Sequence, residues 1–174
     1  KPGDDTSEEA TQTWDRAGPW AVRVRAEVEA VRDHVGVLDL PGFSRFALAG
    51  PGAADWLLGR IAGALPKVRR MTLGYFPDSR GRVLTEMSIL RHAEDEFTLI
   101  TAAPAQWHDF ELLRDALPKG GAISLTDQTG QVSTLILCGP KSRALLAPLA
   151  PDADLALPWL SHQEASVQGK PALL

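Results

Sequence analysis

One acid among apolar neighbours marks the stretch RGRVLTEMSILR, residues 80–91. Strand alternation from Val83 sends Val83, Thr85, Met87 and Ile89 to one face and Leu84, Glu86, Ser88 and Leu90 to the other. Glu86 then shares its face with two leucines. A carboxylate in that position must be solvated in a cleft, paired or protonated, because burying it bare costs several kcal/mol. Two readings stay open: a strand of an antiparallel sheet with a wet outer face, or an acid presented to a ligand by a rigid strand. Just upstream, Arg80 and Arg82 straddle Gly81, where they either hold an anionic ligand or are solvated turn charges.

The rest of the sequence offers little grouping of this kind. His34, His92, His108 and His162 are dispersed without Cys or His partners at metal-ligand spacing, and no G-x-G-x-x-G or P-loop run occurs, so no metal site is expected. His108, followed by Asp109, reads as a partly exposed helical histidine. Ser142 in GPKSR lacks a neighbouring base and reads as a hydroxyl bonded to its own turn. Cys138 is the single cysteine, which excludes an internal disulfide, and its setting STLILCG reads as a buried thiol in a reducing cytoplasm. With 22 acidic against 18 basic residues, the net charge of −4 invites neither nucleic acid nor an anionic membrane. No apolar run approaches the roughly 20 residues of a membrane span, and no signal pattern opens the chain.

Several elements must position that central stretch. Residues 1–19 read as a flexible acidic tail or linker and residues 20–174 as one domain. Val24, Val28, Val31 and Val35 predict an amphipathic helix from Trp20 to Val35, stopped by Gly36. Val37–Leu40 reads as a short buried strand, Phe43–Leu48 as a second, and Ala53–Ile61 as a helix after the Gly50-Pro51-Gly52 turn. Met71–Phe76 and the central stretch form a hairpin across Pro77-Asp78-Ser79. Phe97–Thr101 follows as a strand, Ala105–Leu117 as a helix, Ala122–Thr126 and Val132–Cys138 as strands, and Ser142–Leu149 as a helix. Ala165–Leu174 returns as a strand bent at Gly169. Strands and helices mix without strict alternation, which predicts an α+β fold with mixed, largely antiparallel sheets and packed helices.

Longer runs resemble a known family. AEVEAVRDHVGVLDL with FSRFALAGPGAADWLL, RGRVLTEMSILRHAEDEFTLIT, TDQTGQVSTLILCGPKSRALLAPL and PWLSHQEASVQGKPA resemble, in order and spacing, the aminomethyltransferase family typified by the glycine-cleavage T-protein. RGRV with an acid three residues on resembles the folate-binding C-terminal portion of dimethylglycine and sarcosine dehydrogenases more than the free T-protein, which favours G-G-I and an aspartate.

The resemblance implies the first part of a three-part, clover-like fold with tetrahydrofolate in a central channel. It also implies one-carbon transfer from a small methylated amine. FAD belongs only to a separate or fused dehydrogenase domain or subunit, which oxidises the amine first. By the same resemblance, Leu73, Arg80, Arg82, Glu86 and Ser88 contact the cofactor, and Glu86 is the catalytic acid-base group. Glu86 is one methylene longer than the family's aspartate, Leu73 stands where many T-proteins have tyrosine, and Arg45 where they have lysine. The loss of tyrosine removes a contact to the pterin. The chain stops before an expected R-x-S-Y-x-G-E-x-G-W-E segment, so a fragment with an incomplete folate site is expected. A non-catalytic folate- or partner-binding relative, and a folate-dependent methyltransferase acting on a sulfonium, are the other readings of the same resemblance.

Overall fold

Gly18 and residues 20–174 are described, in a computed structural model. The expected tail lies outside the described residues except for Gly18. In chain order the elements are α1 (Ala21–Asp33), β1 (Gly36–Asp39), β2 (Phe43–Ala49), α2 (Ala53–Leu58), β3 (Arg70–Pro77), β4 (Val83–Ala93) and β5 (Glu96–Ala102). A short 3-10 turn then leads into α3 (Gln106–Ala116), followed by β6 (Ser124–Asp127), β7 (Leu135–Cys138), α4 (Ser142–Leu146), β8 (Glu164–Val167) and β9 (Lys170–Leu173). Among the described residues no helix is long and apolar enough to cross a membrane.

The chain divides into two compact units, one comprising residues up to Leu38 with Leu135–Leu149, the other Asp39–Thr134 with Ala150–Leu174. In the first, β1 pairs with β7 in a two-stranded sheet flanked in sequence by α1 and α4. The expected burial of the first strand is corrected here: Val37 is 63% and Leu38 54% exposed. A two-stranded ribbon is too narrow to bury its own apolar side chains. Nor is any residue of α1 buried, in spite of its valine stripe. Gly139 is required where it stands, since its φ of 112° is left-handed and a Cβ would fall 2.6 Å from the His34 carbonyl oxygen.

The second unit is built on a five-stranded sheet of order β3-β4-β5-β2-β6, every pairing antiparallel. One face of it holds the core, where Phe46, Leu48, Met87, Ile89, Phe97 and Leu99 meet Ala53 and Leu57 of α2 and Leu113 of α3. Each fully buried large side chain contributes about 1.5–3 kcal/mol. The β4–β5 turn also fixes α2, because both carboxylate oxygens of Asp95 accept backbone N–H groups at its start, from Gly52 at 3.0 Å and Ala54 at 2.8 Å.

Several boundaries move. The second helix ends at Leu58 rather than Ile61, because Gly59 closes its last turn on Asp55. The expected bend at Gly169 is a full reversal, with Gln168 and Gly169 at φ 49° and 76° and β8 antiparallel to β9. Ahead of that hairpin, residues 160–162 lie along the free edge of β3, where the Met71 N–H donates to Leu160 O and the His162 N–H to Arg69 O.

Candidate functional site

The hairpin β3–β4 carries the central carboxylate. Its register sets Tyr75 opposite Glu86 and Leu73 opposite Ser88, and the second row continues through Ile100 on β5 to Arg45 on β2. All these side chains belong to the sheet face away from the core. Glu86 is exposed, with no hydrogen bond or ion pair among the described residues, and Leu73 and Tyr75 beside it are 47% and 40% exposed. The strand with a wet outer face is therefore what the chain by itself presents. A surface hollow of about 590 Å³ opens along the same hairpin, lined by Ala64, Leu65, Pro66, Lys67, Arg70, Met71 and Thr72. Met71 shares its face with Leu73, two positions away.

The alternation read from the sequence holds for Glu86 and Ser88 but breaks at Leu84. The register shifts between Phe76 and Pro77, leaving Leu84 without a cross-strand partner. Leu84 lines a small hollow of about 70 Å³ together with Phe76, Leu112 and Leu113, all on the core side.

Arg80 and Arg82 sit in the turn of this hairpin, away from the row of Leu73 and Ser88. Asp78 organises it: its carboxylate accepts the backbone N–H of Arg80 at 2.8 Å and of Arg82 at 3.0 Å, and pairs with the Arg82 guanidinium at 2.7 Å. Those bonds, the Arg82 backbone and side chain foremost, hold the Asp78 carboxyl below its ordinary range. Arg82 is thus engaged by its own turn.

At the opposite end the same face is closed. His162 is buried and stacks edge-to-face on His92 with ring centroids 4.9 Å apart. Its Nε2 donates to Arg91 O at 3.2 Å, while His92 Nε2 lies 2.8 Å from the Thr98 hydroxyl. Burial lowers both imidazole pKa values; at His92 the carboxylates of Glu164 and Glu96 oppose it, and at His162 the neighbouring His92 and Arg69 add to it.

Two groups escaped the sequence reading. Tyr75 is the cross-strand neighbour of Glu86, a relation that only the register reveals. Asp109, which the sequence reading named only as the residue after His108, is wholly buried. Its Oδ2 accepts the Thr85 hydroxyl at 2.9 Å and the Thr101 hydroxyl as well, and its Oδ1 lies 2.8 Å from His108 Nδ1. An Asp within an apolar helical pattern was the available signal. Among the described residues no three His, Cys, Asp or Glu side chains gather as metal donors.

Residues 7–174 match the family described as GCVT N-terminal domain. Mitochondrial dimethylglycine dehydrogenase of Mus musculus is 28% identical over 174 residues, which are 98% of this chain and 20% of that protein. The aminomethyltransferase of Thermus thermophilus is 34% identical over 149 residues, 83% of this chain and 42% of that protein. The chain thus spans under half the length of either relative. Among solved structures, the glycine cleavage system aminomethyltransferase T from Bartonella henselae shares the fold, with a TM-score of 0.66 at 24% identity over 79% of this chain and 37% of that one.

Proposed function

Because the chain belongs to the GCVT N-terminal domain family, we propose that it is the part of a tetrahydrofolate-dependent one-carbon transferase that presents Glu86 to the pterin, in a protein that works on methylated amines such as dimethylglycine or sarcosine. One observation carries this reading: an unpaired carboxylate stands on a rigid strand beside exposed Leu73 and Tyr75, on the open face of a sheet whose other face is the core. Leu73 and Tyr75 offer the apolar and aromatic surface that a flat heterocycle covers, and Ser88 adds a hydroxyl in the next row. The residues present therefore fit the group.

Bound there, tetrahydrofolate supplies the amine that accepts a one-carbon unit. Glu86 is the base that takes up the proton released at that amine and balances the positive charge beside it. Among the described residues it has no ion pair, which leaves both oxygens available. Tyr75, across the hairpin, takes the place of the aromatic contact missing at Leu73. Arg80 is the remaining cation of the turn for an anionic part of the ligand, Arg82 being occupied by Asp78. The dehydrogenase relative supports a flavin-bearing domain or subunit as the source of the oxidised amine. A reducing compartment suits Cys138, and both the cytoplasm and the mitochondrial interior qualify.

The test is Glu86→Gln in the full protein, with tetrahydrofolate affinity and transfer rate measured separately. The amide keeps the size and loses the basicity, so the rate falls about 10²–10⁴-fold while affinity changes little. An equally active variant would leave Glu86 a residue of a wet strand face.

A further inference from the structure

Strands β4 and β5 part company just where Glu86 begins. Their ladder runs from Ala93↔Glu96 to Ser88↔Ile100 and stops there. Beyond it, Val83, Thr85, Glu86 and Met87 of β4 pair only with β3, while Thr101 and Ala102 of β5 pair with Ser44 and Phe43 of β2. The hairpin end that bears Glu86 and Tyr75 thus leaves β5 as an arm, bridged on its outer edge by Ala62 at Tyr75 and resting on the core through Phe76 and Met87. One side-chain link spans the fork on the core side. Asp109 Oδ2, on α3, accepts the hydroxyls of Thr85 from β4 and of Thr101 from β5. Thr85 directly precedes Glu86. The Ser44 hydroxyl, opposite Thr101 and buried, has no partner among the described residues, so it takes no part in the link.

We infer that Asp109 is the positioning residue for Glu86: from the buried face it clasps the arm to β5 and thereby fixes where the Glu86 carboxylate stands on the open face. A buried acceptor that gathers two hydroxyls from diverging strands replaces the missing rungs of the ladder, and the burial of Asp109 and Thr101 strengthens those hydrogen bonds. Without it the arm keeps the core packing of Phe76 and Met87 but loses the hydrogen-bonded tie through α3 to β5. The inference rests on Glu86 acting as proposed above.

The experiment uses the full protein with Asp109→Asn, and Thr85→Val as a second variant should the amide disturb folding. Hydrogen exchange is read without folate on the peptide covering residues 83–87, and transfer kinetics are read with it. Exchange there rises about tenfold while residues 97–99 stay protected. The kcat falls about tenfold or more, which is about 1.4 kcal/mol, with KM for tetrahydrofolate within about twofold. In a Glu86→Gln background, Asp109→Asn costs less than about twofold, since there is no longer a base to position. Unchanged exchange over 83–87, or the same loss with and without Glu86, overturns the clasp. A crippled Glu86→Gln beside an unaffected Asp109→Asn overturns the clasp alone; a fully active Glu86→Gln overturns the function reading and the clasp with it.

Discussion

Gly74→Ala probes the packing that holds the hairpin flat beneath Glu86. Gly74 faces the core opposite Met87, and a Cβ built there falls 2.4 Å from Ile89 Cδ1, 3.3 Å from Ile89 Cγ1 and 3.5 Å from Ile61 Cγ2. The first distance is roughly 1 Å or more short of an ordinary carbon–carbon contact. Ile89 and its neighbour Met87 are fully buried, so the Cδ1 methyl has little room to swing away. Overpacking of this kind costs about 1–3 kcal/mol, less about 0.5–1 kcal/mol regained by stiffening a glycine in a strand. The expected net loss spans about 0–2.5 kcal/mol and centres on about 1 kcal/mol. Ile89→Val removes the clashing methyl and by itself costs about 1 kcal/mol. The double variant should then lie near Ile89→Val alone, about 1 kcal/mol more stable than additivity predicts. Urea unfolding followed by tryptophan fluorescence measures all four proteins. Additive losses, within about 0.5 kcal/mol, would refute the contact and with it the argument that glycine is needed to let β3 lie against Ile89.

Two further outcomes follow from the same unit. His92 and His162 are held neutral by burial, so below the ordinary histidine pKa of about 6.5 the unfolded chain binds protons that the folded one does not. Their contribution is present above that pH and is lost as the pH falls through the lowered folded values; thermal melting at pH 7.5, 6.5 and 5.5 should show a declining Tm, and His92→Gln with His162→Gln should flatten the decline. Arg45 is buried with its Nε donating to the Thr134 hydroxyl at 2.8 Å and Nη1 to Phe43 O at 2.9 Å. Lysine reproduces only part of that fork, so Arg45→Lys should lower stability by about 1–3 kcal/mol in urea unfolding, and an unchanged midpoint would show the bonds to be dispensable.

The pattern of the sequence alone determined how the side chains from Thr85 to Ile89 divide between the two faces of the strand. A strand places successive side chains on opposite faces, so Met87 and Ile89 had to part from Glu86 and Ser88 wherever the strand lay. The turn formers 77–81 and the helical spacing of Trp107, Phe110, Leu113 and Leu117 were local signals too, and they led to β3, β4 and α3 within a few residues. Local signals have no knowledge of what covers a face. Val37 and Leu38 look like core and are exposed because β1 has a single pairing neighbour; Asp109 is an acid that the sequence left unassigned, and it is buried because two threonines, 24 and 8 residues away, close over it. Burial is settled by neighbours distant in sequence, and a carboxylate keeps or loses its water according to whether those neighbours bring hydroxyls. That is why the strand bearing Glu86 was legible in the chain, whereas the fork behind it and the acid that spans it emerged only from the folded sheet.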